Sequence, residues 1–368
     1  MNALPSSEYA ARVIARLEDA GYARAEPAIL QPAAIFFDSG EDLRAQLYLT
    51  SDLSGADYCL RPEYTIPVLT DYLAGSRAGA RADYSYCGPV FRYRPGRPSE
   101  FIQAGIESFG RADREAADAD ILSLALTAAT AARKIEPAVR IGDAGLLANL
   151  LEALDLSPAW RRRIMRGLTH GKSIDMILSA PDGGSAGHSG LLALIEGADK
   201  HGARALVEDL LAIAGAAPAG GRTPGEIADR FLEQAALRQG AGVCAEKHAL
   251  IAQFLAIEGN PETASQRLRA LAADAKLYLN AALESFDKRL EHIAARTAGM
   301  AQIEFAASFH RNLDYYTGFI FEAHEKSVRE PFAGGGRYDG LPQRLGAKTS
   351  IPAVGAAIWL DRLSAAEQ

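Results

Sequence analysis

Strand-forming patterns in this chain fall into two groups, one near each end, and a long helical region separates them. Towards the first end, "DYSYCGPVFRY" and "FIQAGIESFG" alternate as a pair of strands. Towards the other end, "AQIEFAASF", "YYTGFIFEAHE" and "AVGAAIWL" have strand character. Between the two groups, the residues from about 137 to 300 are rich in alanine and leucine at helical spacing. This pattern predicts an α+β fold in which both chain ends build one sheet around a helical insertion.

The length of the chain also favours more than one structural unit. It has 368 residues, whereas single hydrophobic cores seldom grow beyond roughly 250–300 residues. We therefore expect residues 1–136 and 301–368 to form the two parts of a core domain, and residues 137–300 to form the insertion.

Charge and cysteine usage limit the classes of function. A formal net charge of −7 argues against a chain that binds nucleic acid over its whole surface. The three cysteines form no CxxC pair, which favours a reducing compartment over a disulfide framework. No stretch resembles a signal peptide or a membrane span, so a cytoplasmic location away from membranes is expected. The seven histidines lack metal-ligand spacing, and only His310, beside Arg311, adjoins a candidate site.

Polar residues are concentrated in five separated segments: "LRPEYT", "FRYRPGRPSEF", "QAGIE", "RNLDYY" and "GGGRYDG". The second segment is a basic loop between two strands, as expected for an anion-binding hairpin. In the third, Gln103 and Glu107 lie four residues apart on a strand, so they point to the same face. Taken singly, this pair favours a solvated face over a ligand-binding face.

Together with "PAVGAAIWLDRL", these segments resemble, in order, the catalytic core of the class II histidyl-tRNA synthetases. The resemblance implies an antiparallel sheet flanked by helices and a pocket for histidine. By their positions in the matching motifs, Glu63, Thr65 and Gln103 would hold the amino group, and Glu107 and Tyr316 would read the imidazole. Tyr315 and Tyr338 would complete this pocket, and Arg311 would face the carboxylate and the reacting phosphate.

The chain departs from the synthetases where they bind ATP and tRNA. Arg92 and Arg362 match the nucleotide-binding arginines, but the loop after Arg92 is short and contains Pro95 and Pro98. Trp359 stands where that family has a glycine close under the nucleotide, and Tyr64 replaces another glycine. The sequence ends six residues after Arg362, so no anticodon-binding domain is expected. Arg92, Trp359 and Arg362 are therefore interpreted as remnants of a nucleotide site.

This combination resembles the regulatory subunits of short-form ATP phosphoribosyltransferase, in histidine biosynthesis. The resemblance implies a non-catalytic subunit without cofactor or metal, which forms a homodimer within a hetero-octamer. It implies activation of the separate catalytic subunit and feedback inhibition by free histidine, without binding of tRNA. Two alternatives remain: a synthetase paralogue that adenylates histidine or another acceptor, and a structural activator whose pocket binds nothing. The histidine site itself is either this pocket or a subunit contact.

Overall fold

The computed structural model of the protein describes residues 7–37, 41–179, 205, 209–210, 237, 242–311, 313–326, 328 and 330–365. Its strands are β1 Ala23–Arg24, β2 Leu30–Pro32, β3 Leu49–Ser51, β4 Asp57–Leu60, β5 Ala82–Phe91, β6 Glu100–Phe109, β7 Pro137–Asp143, β8 Glu258–Gly259, β9 Gln302–Ala306, β10 Phe319–Glu325, β11 Ala333–Arg337 and β12 Ala353–Trp359. Its main helices are α1 Ser7–Asp19, α2 Ala34–Phe37, α3 Glu41–Arg44, α4 Thr65–Ala74, α5 Arg114–Ala132, α6 Ala144–Ala153, α7 Pro158–Thr169, α8 Ile174–Ser179, α9 Ala245–Leu255, α10 Pro261–Asp274, α11 Asn280–Thr297, α12 Leu341–Arg344 and α13 Leu360–Ala365.

Both ends of the chain contribute strands to one nine-stranded sheet, as predicted. The strand order is β1-β5-β6-β12-β11-β10-β7-β9-β8. Neighbours from β5 to β7 in this order are antiparallel, whereas β1 pairs with β5 and β7 pairs with β9 in parallel. The sheet is therefore mixed, with its antiparallel part at the centre. A separate three-stranded sheet has the order β2-β4-β3.

The observed division of the chain differs from the expected boundaries. One compact unit contains the described residues up to Leu150 and from Gln253 onward, and the other contains those within Leu151–Ala252. The sequence pattern places residues 137–150 and 253–300 in the insertion, whereas in the structure they belong to the first unit. Strand β7 pairs with β10 and β9 in the large sheet, and α11 packs against α5. Alanine-rich helical spacing does not show whether a helix belongs to the core unit or to the insertion.

Helix α5 covers one face of the central strands, and the opposite face is left for the candidate site. This helix packs against β6, β11 and β12, and α1 and α11 pack against it in turn. Its buried positions are mostly small, among them Ala117, Ala125 and Ala129, so the helix can approach the sheet closely. The burial of this face fixes the register of the strands, which decides the side chains that the other face presents.

Candidate functional site

Small residues of the central strands form the floor of the site. Gln103 and Glu107 lie on β6, as predicted, and alternate with Gly105 on one face. On the neighbouring strand, Trp359 lies opposite Gln103, and Gly355 lies opposite Glu107. The glycines are required because a Cβ at Gly355 would overlap the carboxylate of Glu107. Large polar side chains can therefore lie flat on the sheet.

Above this floor is a cavity of about 530 Å³, within the usual range for small-molecule sites. All but one of the predicted site residues border it: Glu63, Thr65, Arg92, Gln103, Arg311, Tyr315, Tyr316, Tyr338, Trp359 and Arg362. The remaining wall comes from Leu43, Gln46, His310, Leu313, Glu322, Pro331, Gly334, Gly355, Ala356 and Ala357. Folding thus brings together the five polar segments that lie far apart in the sequence.

Glu63 lies at one end of the cavity, where helix α4 begins. Its carboxylate accepts hydrogen bonds from the backbone N–H groups of Thr65 and Ile66, at 2.7 and 2.8 Å. These groups have no partner within the helix, so Glu63 completes its first turn. Burial raises the pKa of Glu63, while these hydrogen bonds and the charge of Arg92 oppose the rise. Glu63 is therefore a buried acid, and the resemblance to the synthetases implies that it holds the ammonium group of bound histidine.

Tyr64, which replaces a glycine of the synthetase motif, does not border the cavity. Its ring stacks on Tyr86 with centroids 4.4 Å apart, and the guanidinium of Arg61 covers it at 4.2 Å. A Cβ at Gly88 would overlap the hydroxyl of Tyr64. The Tyr64 side chain therefore fills a space beside the cavity and does not line it.

Glu107 is the one predicted ligand contact that does not border the cavity. It is fully buried, and its carboxyl group is contacted by the hydroxyls of Thr65, at 2.7 Å, Tyr86, at 3.3 Å, and Tyr338. Burial raises the pKa of Glu107 to about 8, although the hydroxyl contacts oppose this rise. Thr65 and Tyr338 do border the cavity, so Glu107 holds the side chains that an occupant would touch.

The tyrosines form an aromatic wall next to this buried acid. The rings of Tyr315 and Tyr316 lie 4.9 Å apart, and Tyr315 meets Tyr338 edge to face at 5.6 Å. Tyr315 and Tyr338 are 3% and 1% exposed, respectively. An occupant of the cavity would therefore meet rings that packing holds in place.

Arg311 provides a positive charge on the other side of the cavity. Its Nη1 donates to the carbonyl of Phe321, at 3.1 Å, and to the carboxylate of Glu322, at 2.8 Å. The guanidinium lies against Gly334, where a Cβ would overlap it. Glu322 was not predicted as a site residue, although the alternation of "FIFEAHE" on β10 places it on the cavity face.

The described part of the chain lacks membrane-spanning helices and metal-binding clusters. None of its helices is both long and apolar enough to cross a membrane. Across the same residues, no three histidine, cysteine, aspartate or glutamate side chains are grouped so that they could hold a metal ion.

Comparisons with known proteins agree with this geometry. The family model described as histidyl-tRNA synthetase matches residues 2–363. ATP phosphoribosyltransferase regulatory subunits from Brucella canis and Brucella ovis are each 41% identical over 344 residues, which cover 92% of this chain and 91% of theirs. The chain belongs to the ATP phosphoribosyltransferase regulatory subunit family. This confirms the prediction from the sequence of a regulatory rather than catalytic member.

Solved structures confirm the predicted class II synthetase-like fold of this member of the regulatory subunit family. An ATP phosphoribosyltransferase regulatory subunit/histidyl-tRNA synthetase from Bacillus halodurans has a TM-score of 0.67 at 19% identity, and covers 96% of this chain and 77% of its own. A histidine–tRNA ligase subunit from Alicyclobacillus acidocaldarius has a TM-score of 0.57 at 25% identity, over 100% of this chain and 96% of its own.

In this member of the regulatory subunit family, the arginines that match the nucleotide site contact other groups of the protein. Arg92 donates to the carbonyl of Pro62 at 2.7 Å, and Arg362 donates to that of Pro331 at 2.7 Å. Glu330 accepts ion pairs from both Arg362, at 3.5 Å, and Arg97 of the basic loop. The ion pair with Glu330 reduces the positive charge that Arg362 offers to a phosphate, and the carbonyl of Pro62 occupies one donor of Arg92.

Trp359 lies in the wall of the cavity and is 6% exposed. The guanidinium of Arg362 covers its ring at 4.3 Å, and that of Arg311 lies 5.7 Å from its centroid. The indole thus lies near both arginines, at the position where the synthetase motif has a glycine. In this member of the regulatory subunit family, that side of the cavity is narrower than a glycine would leave it.

Proposed function

We propose that this chain is the histidine-sensing regulatory subunit of an ATP phosphoribosyltransferase whose catalytic subunit is of the short form. In this role the chain activates the catalytic subunit, and free histidine that binds in the cavity causes feedback inhibition. The observation that carries the proposal is the presence, in one cavity, of acceptors on Glu63 and Gln103 and a guanidinium on Arg311. These groups match the ammonium and carboxylate of a free amino acid.

The aromatic wall supports histidine as that amino acid. The hydroxyls of Tyr316 and Tyr338 can exchange hydrogen bonds with the two ring nitrogens of an imidazole. Glu107 contacts Tyr338 and Thr65, so the buried acid fixes the orientation of the hydroxyls that read the ligand. The proposal therefore keeps Glu107 in the histidine site, where it acts through these two neighbours.

The proposal includes how the chain assembles and where in the cell it acts. A homodimer within a hetero-octamer agrees with apolar side chains on and beside the small sheet, since Leu30 and Leu49 are 49% and 61% exposed. All three cysteines are free thiols, which agrees with a reducing cytoplasm. The net charge of −7 supports a role without tRNA.

Calorimetric titration with free histidine tests the sensing role. We expect the wild-type chain to bind histidine, and Gln103→Ala to weaken binding at least tenfold by removing a buried acceptor for the ammonium. Gln343→Ala is the matched control, because Gln343 is exposed and does not border the cavity. No binding by the wild type at millimolar histidine would contradict the proposal and favour a purely structural activator.

A synthetase paralogue that adenylates histidine is the second candidate, since Arg92 and Arg362 both border the cavity. The protein contacts of Arg362 and the position of Trp359 count against it. Histidine-dependent exchange of pyrophosphate into ATP separates the two candidates: a sensor gives no exchange, whereas an adenylating enzyme does.

A further inference from the structure

Four buried polar atoms of cavity-bordering side chains have no hydrogen-bond partner among the described residues. They are Gln103 Oε1, His310 Nε2, Arg311 Nε and Trp359 Nε1. Buried polar groups in folded proteins are nearly always paired, because an unmet hydrogen bond inside a protein is costly. Since all four side chains border one cavity, we take them as the groups that an occupant would satisfy.

The four atoms divide into two acceptors and two donors. Gln103 Oε1 is an amide oxygen and only accepts. His310 Nδ1 lies 3.0 Å from the carbonyl oxygen of Ser308, which cannot donate, so Nδ1 carries the proton of that contact. Burial lowers the pKa of His310, which favours the neutral ring and leaves Nε2 as an acceptor. Arg311 Nε and Trp359 Nε1 can only donate.

The two donors belong to neighbouring side chains. The guanidinium carbon of Arg311 lies 5.7 Å from the centroid of the Trp359 ring. Nη1 of Arg311 is already engaged by Phe321 and Glu322, whereas Nε is not. On the other side, Trp359 lies directly opposite Gln103 in the β6–β12 pair, so donor and acceptor side chains share one face of the sheet.

We propose that Trp359 donates its indole N–H to the carboxylate of the bound effector, beside Nε of Arg311. The two unpaired acceptors, on Gln103 and His310, face the ammonium group of the same molecule. This inference rests on the proposed function and adds a specificity residue to it: Trp359 selects ligands with a free α-carboxylate. Free histidine has such a carboxylate, whereas in an adenylated histidine the carboxylate is joined to a phosphate as a mixed anhydride and carries no charge.

Two ligands that differ at the carboxylate separate this role from simple packing. Histamine keeps the imidazole and ammonium of histidine but lacks the carboxylate. Trp359→Phe keeps an aromatic ring but removes the N–H donor together with the second ring, so the comparison of the two ligands separates the lost donor from the lost volume. We expect this variant to bind histidine about tenfold more weakly and to bind histamine as the wild type does. Trp160→Phe is the matched control, because Trp160 Nε1 is also buried and unpaired but Trp160 does not border the cavity.

The indole N–H resonance of Trp359 gives a direct second readout in the wild-type protein. The chain has two tryptophans, so the two substitutions assign the two indole resonances. Histidine should shift the Trp359 proton downfield as the hydrogen bond forms, and histamine should not. If Trp359→Phe weakened the binding of both ligands equally, or if histidine left the Trp359 resonance in place, this inference would be overturned but the proposed function would not. A wild-type chain that binds neither ligand would overturn the proposed function as well.

Discussion

At the scale of single residues, two buried carboxyl groups differ in the groups that donate hydrogen bonds to them. Glu63 accepts two backbone N–H groups at the start of α4, and the charge of Arg92 also favours its ionised form. Glu107 is contacted only by side-chain hydroxyls, and burial raises its pKa to about 8. The Glu107 carboxyl therefore changes its charge near neutral pH, well above the range in which a carboxyl group ordinarily does.

This difference predicts how the stability of the fold depends on pH. The pKa of Glu107 is about 8 when folded, compared with an ordinary value of 4.5. Between these values the folded chain holds a proton that the unfolded chain releases. The stabilisation is thus complete below pH 4.5 and declines by about 1.4 kcal/mol per pH unit as the pH rises. It is lost above the folded pKa.

Replacement of the carboxyl by an amide removes this titration. We expect the free energy of unfolding of the wild type to fall relative to that of Glu107→Gln as the pH rises from about 5 to about 8. Urea unfolding of both proteins across that range measures the difference, and other titrating groups cancel in the comparison. Parallel pH profiles for the two proteins would contradict the account of Glu107.

At the scale of elements, the glycine-rich strand β11 positions the arginine of the site. The sequence "GGGRYDG" predicts close approach of another group, and the guanidinium of Arg311 lies against Gly334. Gly334→Ala should displace this flexible side chain, because the added Cβ would overlap it. We expect histidine affinity to fall at least tenfold through loss of a charged hydrogen bond, while the fold persists. Gly242→Ala is the control, since no atom lies within 4 Å of a Cβ there.

Calorimetry with histidine and a thermal unfolding curve separate the two effects of Gly334→Ala. Unchanged affinity would mean that Arg311 does not contact the ligand. A large loss of stability in the variant would mean instead that the strand cannot accommodate the methyl group.

A buried ion-pair network connects helices α5 and α11 with strand β11. Asp118, which is fully buried, pairs with Arg289 at 2.7 Å and with Arg337 at 2.7 Å. Arg289 also pairs with Asp143 at 2.6 Å. We expect Asp118→Asn to reduce the free energy of unfolding by about 3–5 kcal/mol, because both guanidinium groups would lose a buried counter-charge.

Denaturant unfolding measures this loss. Glu152→Gln serves as the control, because it removes one partner of an exposed ion pair, with Arg161, and such pairs contribute little. Similar changes in the two variants would show that the Asp118 network is not a stabilising core element.

The sequence predicts some features of these elements and not others. The alternation of β6 places Gln103 and Glu107 on one face, because strand periodicity is local. It does not reveal that Glu107 lies behind Thr65 and Tyr338, since this depth depends on Gly355 of a distant strand. The stacking of Tyr64 on Tyr86 is likewise a tertiary contact, which the local sequence does not reveal. The sequence pattern also places helix α11 in the insertion, because an amphipathic pattern does not identify the surface that the helix covers.

At the scale of the whole molecule, the site joins segments from both parts of the core unit. Glu63 and Gln103 come from the first part, and Arg311, Tyr338 and Trp359 come from the second. An effector that bridges them favours the folded arrangement by its binding free energy. Such an effector can also alter a partner's activity if its affinity differs between two states of the complex.

The most direct test of the proposed regulation is the rate of phosphoribosyl transfer to ATP by the short-form catalytic subunit from the same organism. The rate is measured for that subunit alone, with this chain added, and with this chain and free histidine together. We predict that adding the chain raises the rate and that histidine lowers the rate of the mixture. A rate that does not change when the chain is added, or a mixture that histidine does not inhibit, would contradict it.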